Sequence, residues 1–246
     1  MYEDFSDIYD HVMEHIPYEE WFKKLHGYLK EKGISDGVIC ELGCGTGTMT
    51  ELFAKAGYRM IGVDESPDML ALAQMKKAES GLDILYVEQS MEELTLAEPV
   101  DAIISVCDSM NYLLLEEQLL DTFLNAKKYL KKGGYMIFDL KTAYCYQEVI
   151  GNRTWVEQDD EVSYIWDNYF HEDRYINEYV ITVFRKKENA ELYEKIEEVH
   201  YQRAYTPDEI KRQVDNAGLT FVDVLDGDLK SKPGDKSERY YIVVRA

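Results

Sequence analysis

Basic side chains are scarce in this 246-residue chain: 27 Lys and Arg stand against 48 Asp and Glu, for a formal charge of −21. A phosphate backbone needs clustered Lys and Arg, so the composition argues against nucleic acid as a partner. Docking on anionic membranes is disfavoured for the same reason. Long hydrophobic runs are also missing, and none approaches the roughly 18 apolar residues that span a bilayer. The first ten residues carry four acids and no base, unlike the positive start of a signal peptide. A cytoplasmic location is the expectation. Cysteine is sparse as well. Cys40, Cys44, Cys107 and Cys145 form no Cys-x-x-Cys pair, and no histidine lies at ligand spacing from them. Reduced thiols are expected, without a disulfide framework or a metal site.

What is present is globular material. Hydrophobic residues make up 46% and aromatics 13%, including 20 Tyr. A disordered acidic chain would be poor in aromatics. The length allows one large domain, or one with a small addition.

Apolar residues at three- and four-residue spacing predict helix over residues 1–32, through Phe5, Ile8, Tyr9, Val12 and Ile16, then Trp21, Phe22, Leu25 and Leu29. Pro17 splits this stretch into two helices. From Val38 onward, short apolar runs alternate with amphipathic segments. Strands are predicted at Val38–Leu42, Arg59–Val63, Ile84–Val87, Ala102–Val106 and Tyr135–Leu140. Helices are predicted over 46–56, from the Ser66-Pro67-Asp68 cap, and over 115–130, where Gly133-Gly134 act as the stop. Such alternation means an α/β fold with a mostly parallel sheet covered on both faces. After Leu140 the texture changes. Ser163–Phe170, Tyr175–Arg185 and Ile196–Tyr205 alternate polar with aromatic or β-branched side chains, as half-exposed antiparallel strands do. A helix from Thr206 and strands at Phe221–Leu225 and Tyr240–Val244 close the chain. The expected organisation is a main domain of residues 1–142 and 206–246, interrupted by an antiparallel insertion over 143–205.

The turn Glu41-Leu42-Gly43-Cys44-Gly45-Thr46-Gly47 ends one predicted strand and opens a helix. Its glycines permit close approach of a ligand at the carboxyl edge of the sheet. A dinucleotide fingerprint would place a third glycine at position 48, where Thr48 stands, and no Gly-Lys-Ser/Thr follows for a phosphate loop. The next strand ends in Asp64, an acid that can accept from both ribose hydroxyls. A glycine turn, a ribose-binding acid and no phosphate apparatus point to a nucleoside without phosphates.

These residues, with Gly62-Val63-Asp64-Glu65-Ser66-Pro67-Asp68-Met69-Leu70, Asp101-Ala102-Ile103-Ile104-Ser105 through Asn111-Tyr112-Leu113, and Leu130-Lys131-Lys132-Gly133-Gly134, resemble the class I S-adenosylmethionine (SAM)-dependent methyltransferases. The match covers about residues 38–140. The opening Phe5-Ser6-Asp7-Ile8-Tyr9-Asp10 and the inserted sheet resemble a bacterial subgroup acting on small molecules. The resemblance implies a Rossmann-like seven-stranded, mostly parallel sheet and the cofactor SAM. Gly43, Cys44, Gly45 and Gly47 would bring backbone to its methionine part, and Glu41 would hold its amino group. Asp64 would take the ribose diol, with Glu65 and Met69 beside the adenine. Many members carry an Asp after the third strand for the adenine amine. Here that region is Glu88-Gln89-Ser90-Met91, so Gln89 would accept instead, with Ser90 and Met91 flanking the ring. Cys107 and Asp108 would lie near the sulfonium.

The implied activity is direct displacement of the methyl group onto N or O of a small soluble acceptor, by a monomer or homodimer. Acceptor-side candidates are Tyr9, Asp108, Asn111 and Tyr112, with Trp166, Asn168, Tyr169, His171, His200 and Arg203 on an inserted lid. No Asn-Pro-Pro-Tyr motif supports amide or adenine methylation, and no Cys pair suggests a covalent cytosine mechanism. A SAM-binding regulatory module without turnover and a nicotinamide-dependent oxidoreductase are the alternatives. Residues 142–205 hold 14 acids against 7 bases, which would favour a neutral or cationic acceptor if they cover the mouth of the site.

Overall fold

The computed structural model describes residues 9, 13, 16–158, 162–187 and 192–246. The expected first helix and the Phe5–Asp10 segment lie outside the described residues, apart from Tyr9, Met13 and Ile16. Helix α1 (Tyr18–Glu31) buries Leu25 and Leu29. Strand β1 (Val38–Leu42) is buried at every position, as a central parallel strand must be. Then follow α2 (Thr48–Lys55), β2 (Arg59–Asp64), α3 (Pro67–Ser80), β3 (Ile84–Glu88), β4 (Val100–Ser105), α4 (Glu116–Tyr129) and β5 (Leu130–Lys141). After the second sheet, α5 (Pro207–Asn216), β10 (Thr220–Asp226) and β11 (Arg239–Arg245) complete the chain.

Caps explain the helix starts. Ser66 accepts from the Met69 N–H, with Pro67 in the first turn. Thr206 and Glu209 form a reciprocal capping box. The end of α4 departs from expectation. The helix stops at Tyr129, and Gly133-Gly134 lie within β5 rather than capping it. They serve the sheet: the Gly133 N–H donates to Ala246 O and Gly134 O accepts from the Ala246 N–H, tying β5 to the C-terminus.

The main sheet has seven strands in the order β10-β11-β5-β4-β1-β2-β3. Pairs among β1 to β5 are parallel, whereas β11 runs antiparallel to both β5 and β10. The order reverses between β1 and β4, the switch point where open α/β sheets bind ligands. Because β11 is reversed, its first residue reaches the edge where the parallel strands end, and Arg239 pairs with Lys141. No helix among the described residues is long and apolar enough to cross a membrane.

A separate four-stranded antiparallel sheet lies between β5 and α5. Its order is β6 (Thr154–Gln158), β7 (Val162–His171), β8 (Ile176–Lys186), β9 (Tyr193–Arg203). Three of these strands match the sequence pattern. β6 does not, because it is an edge strand exposed at all five positions and shows no alternation of burial. A π-helical turn, Cys145–Ile150, leads into the sheet and was not foreseen. Period-two alternation puts Tyr164, Trp166, Tyr179, Ile181, His200 and Gln202 on one face of the sheet.

Candidate functional site

One cavity of about 640 Å³ runs from the glycine turn at β1 to the inner face of the second sheet. The turn after β1 is built by backbone conformations that need glycine. Gly43 has φ +66°, and a Cβ there would meet Ser109 at 2.6 Å and the Met91 methyl at 2.8 Å. Gly47 has φ +79°, and a Cβ there would run into the Tyr86 hydroxyl. Replacing Gly47 with Ala should cost at least about 1–2 kcal/mol from the left-handed conformation alone. Urea unfolding measures this, and a stability unchanged by the substitution would contradict it.

Asp64, at the tip of β2, is tied to this turn. Its Oδ2 accepts from the Gly45 N–H at 2.7 Å and its Oδ1 from the Ser66 N–H at 2.9 Å. Burial raises its pKa, and the backbone N–H groups pull against that rise. Glu41 lies on the other side of the turn, 2% exposed, and its Oε2 accepts from the Thr50 hydroxyl. Burial pushes the Glu41 carboxyl up to about 8, against the Thr50 hydrogen bond and with a contribution from Asp64. Glu65, Met69, Gln89, Ser90 and Met91 border the same end of the cavity. Both ends of the Gln89 amide are engaged with Thr95, whose N–H donates to Oε1 at 2.7 Å.

The floor beyond the glycine turn is a four-charge cluster. Cys107 and Asp108, just past β4, both have positive φ (+61° and +55°), costly for residues with a Cβ. Hydrogen bonds hold the turn: the Asp108 N–H donates to Asp139 Oδ1 at 3.1 Å, and Ser109 Oγ donates to Val106 O at 2.9 Å. Asp108 meets Lys141 Nζ at 3.0 Å and Arg239 Nη2 at 2.8 Å. Arg239 also pairs with the fully buried Asp139 and lies over the Trp21 ring, 4.9 Å from its centroid. Burial opposes the charge on Asp108, yet Lys141 and Arg239 hold it below the usual carboxylate range. Burial likewise opposes the Lys141 charge, and Asp108 holds it well above the ordinary lysine value. Gln202 of β9 donates to Asp108 Oδ2 at 2.8 Å, which fastens the second sheet to the strand tips.

The cavity brings together Tyr9, Asp108 and Tyr112, the residues expected on the cofactor side, Glu41, Gly43, Cys44, Gly45, Asp64, Glu65, Met69, Gln89, Ser90, Met91 and Cys107, and Trp166 and His200 of the expected lid. The structure places six other candidates elsewhere. Asn111 is buried behind the wall, donating to the Lys141 and Arg203 carbonyls and accepting from the Lys141 N–H. Asn168 pairs with Asn177 inside the second sheet. Tyr169 is exposed, and His171 meets Glu178 at 2.8 Å. Arg203 bonds the Leu114 carbonyl and Glu209. Gly47 supports the turn from behind. Sequence reasoning missed Tyr18, Lys141, Gln202 and Arg239, which also line the cavity. Lys141 ends β5 and so stands at the ligand edge, a signal that was available. Arg239 could be found only by knowing that β11 is reversed.

Similarity to known proteins agrees with this geometry. A methyltransferase-domain family matches residues 39–134. The Bacillus subtilis protein YqeM, named as a methyltransferase, is 32% identical over 242 residues, covering 98% of this chain and 95% of that one. A solved SAM-dependent methyltransferase from Clostridium acetobutylicum has a TM-score of 0.87 at 29% identity, covering 99% and 98% of the two chains. The sugar N-methyltransferase KedS8 from Streptoalloteichus shares the fold with a TM-score of 0.77 at 13% identity, over 96% and 91% of the chains.

Proposed function

We propose, from the premise that this chain belongs to the SAM-dependent methyltransferases, that it methylates nitrogen or oxygen of a small soluble acceptor and that an amine suits the site best. The observation that carries this is the single cavity joining the glycine turn to a roof of aromatic side chains. Its volume lies within the roughly 300–1,000 Å³ of small-molecule sites. Residues 143–205 serve as the lid. Among the described lining residues the only Lys and Arg are Lys141 and Arg239, and both are neutralised by Asp108 and Asp139. The wall therefore offers no spare cation for a nucleic-acid backbone, and the exposed Glu238 adds an acid at the rim. A sugar N-methyltransferase among the structural neighbours accords with an amine acceptor.

The residues present suit the cofactor. Gly43 and Gly45 line the cavity where its methionine part would lie, with nothing within 4 Å of a Cβ built on Gly45, while Glu41 can face its ammonium group and Asp64 its ribose diol. When bound, SAM supplies an electrophilic methyl group and a neutral thioether leaving group. The protein contributes orientation and exclusion of water.

Glu41 makes cofactor binding pH-dependent. Its carboxyl sits at about 8 in the folded protein against an ordinary 4.5, so the free protein holds a proton that the unfolded chain releases. The stability this proton brings is complete below pH 4.5 and is lost as pH rises towards 8. An ammonium group beside Glu41 favours the carboxylate, so binding expels the proton. Affinity for SAM should rise by up to about tenfold per pH unit between about pH 6 and 7.5, before the cofactor's own α-amino group titrates. Calorimetry in buffers of different ionisation enthalpy reads the proton release, and Glu41→Gln should abolish it. A pH-independent wild-type affinity would contradict the assignment.

The acceptor reading is tested by incubating the protein with methyl-labelled SAM and a panel of primary amines, amino sugars, phenols and carboxylic acids. Mass spectrometry should find one added methyl on amine-bearing members. Label confined to carboxylic acids would refute the amine preference.

A further inference from the structure

Several ionisable groups on the floor and roof of the cavity are unsuited to taking a proton from an acceptor. Asp108 is engaged by Arg239, Lys141 and Gln202 and is held below the usual carboxylate range. Lys141 is held protonated by Asp108 against the opposing effect of burial. Burial pushes the Tyr164 and Tyr179 hydroxyls up, and it pushes the Cys107 and Cys145 thiols up to about 11. Glu41 and Asp64 belong to the turn at the far end of the cavity.

His200 remains. Among the described residues it is the one imidazole on the cavity wall, and it is 1% exposed. Its position follows from β9: it shares the inward face with Gln202, the residue that bonds Asp108, so it stands where the roof meets the strand tips. Its Nε2 lies 3.0 Å from Glu198 Oε2 on the same strand. Tyr112 meets the ring edge-on with centroids 6.0 Å apart, and Tyr179 is its partner across β8. Glu198, Tyr112 and Tyr179 thus face the ring, and Asp108, Lys141 and Tyr146, whose hydroxyl donates to Gln202, stand beyond. An imidazole is the side chain whose ordinary titration lies nearest neutrality.

We propose that His200, oriented by Glu198, accepts the proton given up by the acceptor's nucleophilic nitrogen or oxygen. A bond forms between that atom and the methyl carbon, the carbon–sulfur bond breaks, and its electron pair stays on sulfur. The proton passes from the acceptor to a ring nitrogen of His200, and the Glu198 carboxylate balances the imidazolium. This role rests on the methyltransferase reading of the cavity and adds the base.

The test uses the full-length chain, labelled SAM and whichever panel amine the wild type methylates best. His200→Asn should lower kcat by about 100-fold or more, the lower end of a general base's contribution, with SAM affinity by calorimetry kept within about twofold. Glu198→Gln should lower kcat by about tenfold. In both variants the loss should fall on kcat, with the KM for SAM kept within about twofold. A His200→Asn activity within about threefold of wild type, or a loss matched by an equal loss of SAM affinity, would overturn the role. A wild type that binds SAM but methylates no panel member would instead overturn the small-acceptor reading, and the role of His200 with it.

Discussion

Substituting Arg239 with Met is expected to destabilise the protein by about 3–5 kcal/mol, the typical cost of removing one partner from a buried ion pair. Arg239 bridges two carboxylates, Asp108 and Asp139, and Asp139 is fully buried. Without the guanidinium, Asp108 keeps Lys141 and Gln202, but the counter-charge of Asp139 is gone. Asp139 must then be a stranded anion or take up a proton. The shift is large against a total stability of about 5–15 kcal/mol. It should shrink at low pH, where protonation removes the stranded charge, and in the double variant with Asp139→Asn, which removes it chemically. Urea unfolding at pH 7 and pH 5 measures all of this. A single variant within about 1 kcal/mol of wild type would show that the cluster contributes little. The same loss should loosen the positive-φ turn at Cys107 and Asp108, because Asp139 also accepts the Asp108 N–H.

Asp64→Ala is expected to weaken SAM binding by about 30- to 100-fold, or about 2–3 kcal/mol, through two losses. One is the charge-assisted acceptance of ribose hydroxyls. The other is the turn itself, since Asp64 orients the Gly45 and Ser66 N–H groups. Asp64→Asn separates them: the amide oxygen can still accept from one N–H, so the turn should persist and binding should fall by a smaller factor. Calorimetric titration with SAM reads both variants. An unchanged affinity in Asp64→Ala would show that the ribose lies elsewhere.

The parts of this architecture that were legible in the sequence are those set by short-range chemistry. The strand–turn–helix around Gly43 and Gly45 announces itself because apolar runs and glycines must alternate there. Ser66-Pro67 and Thr206-Pro207 mark helix starts because their side chains satisfy the first free N–H groups. Features set by distant parts of the chain were not legible. Arg239 and Lys141 meet only because the last strand is reversed. Asn111 and Asn168 look like site residues from their neighbours in sequence, but each satisfies buried backbone or another amide instead. His200 is one lid candidate among several in the sequence, and only the register of β9 turns it inward beside Gln202 while His171 faces Glu178. The net charge of −21 hinted at a neutral or cationic acceptor. The cavity adds a reason, since its only two cations on the described lining are already paired.

The central claim is that the methyl group goes to a small soluble molecule. The most direct measurement is to incubate the protein with methyl-labelled SAM and a whole-cell extract, then separate metabolites, RNA and protein and count label in each. Uptake in the metabolite fraction alone, lost in Asp64→Ala, is the predicted result. Label appearing only in RNA or protein would contradict the claim.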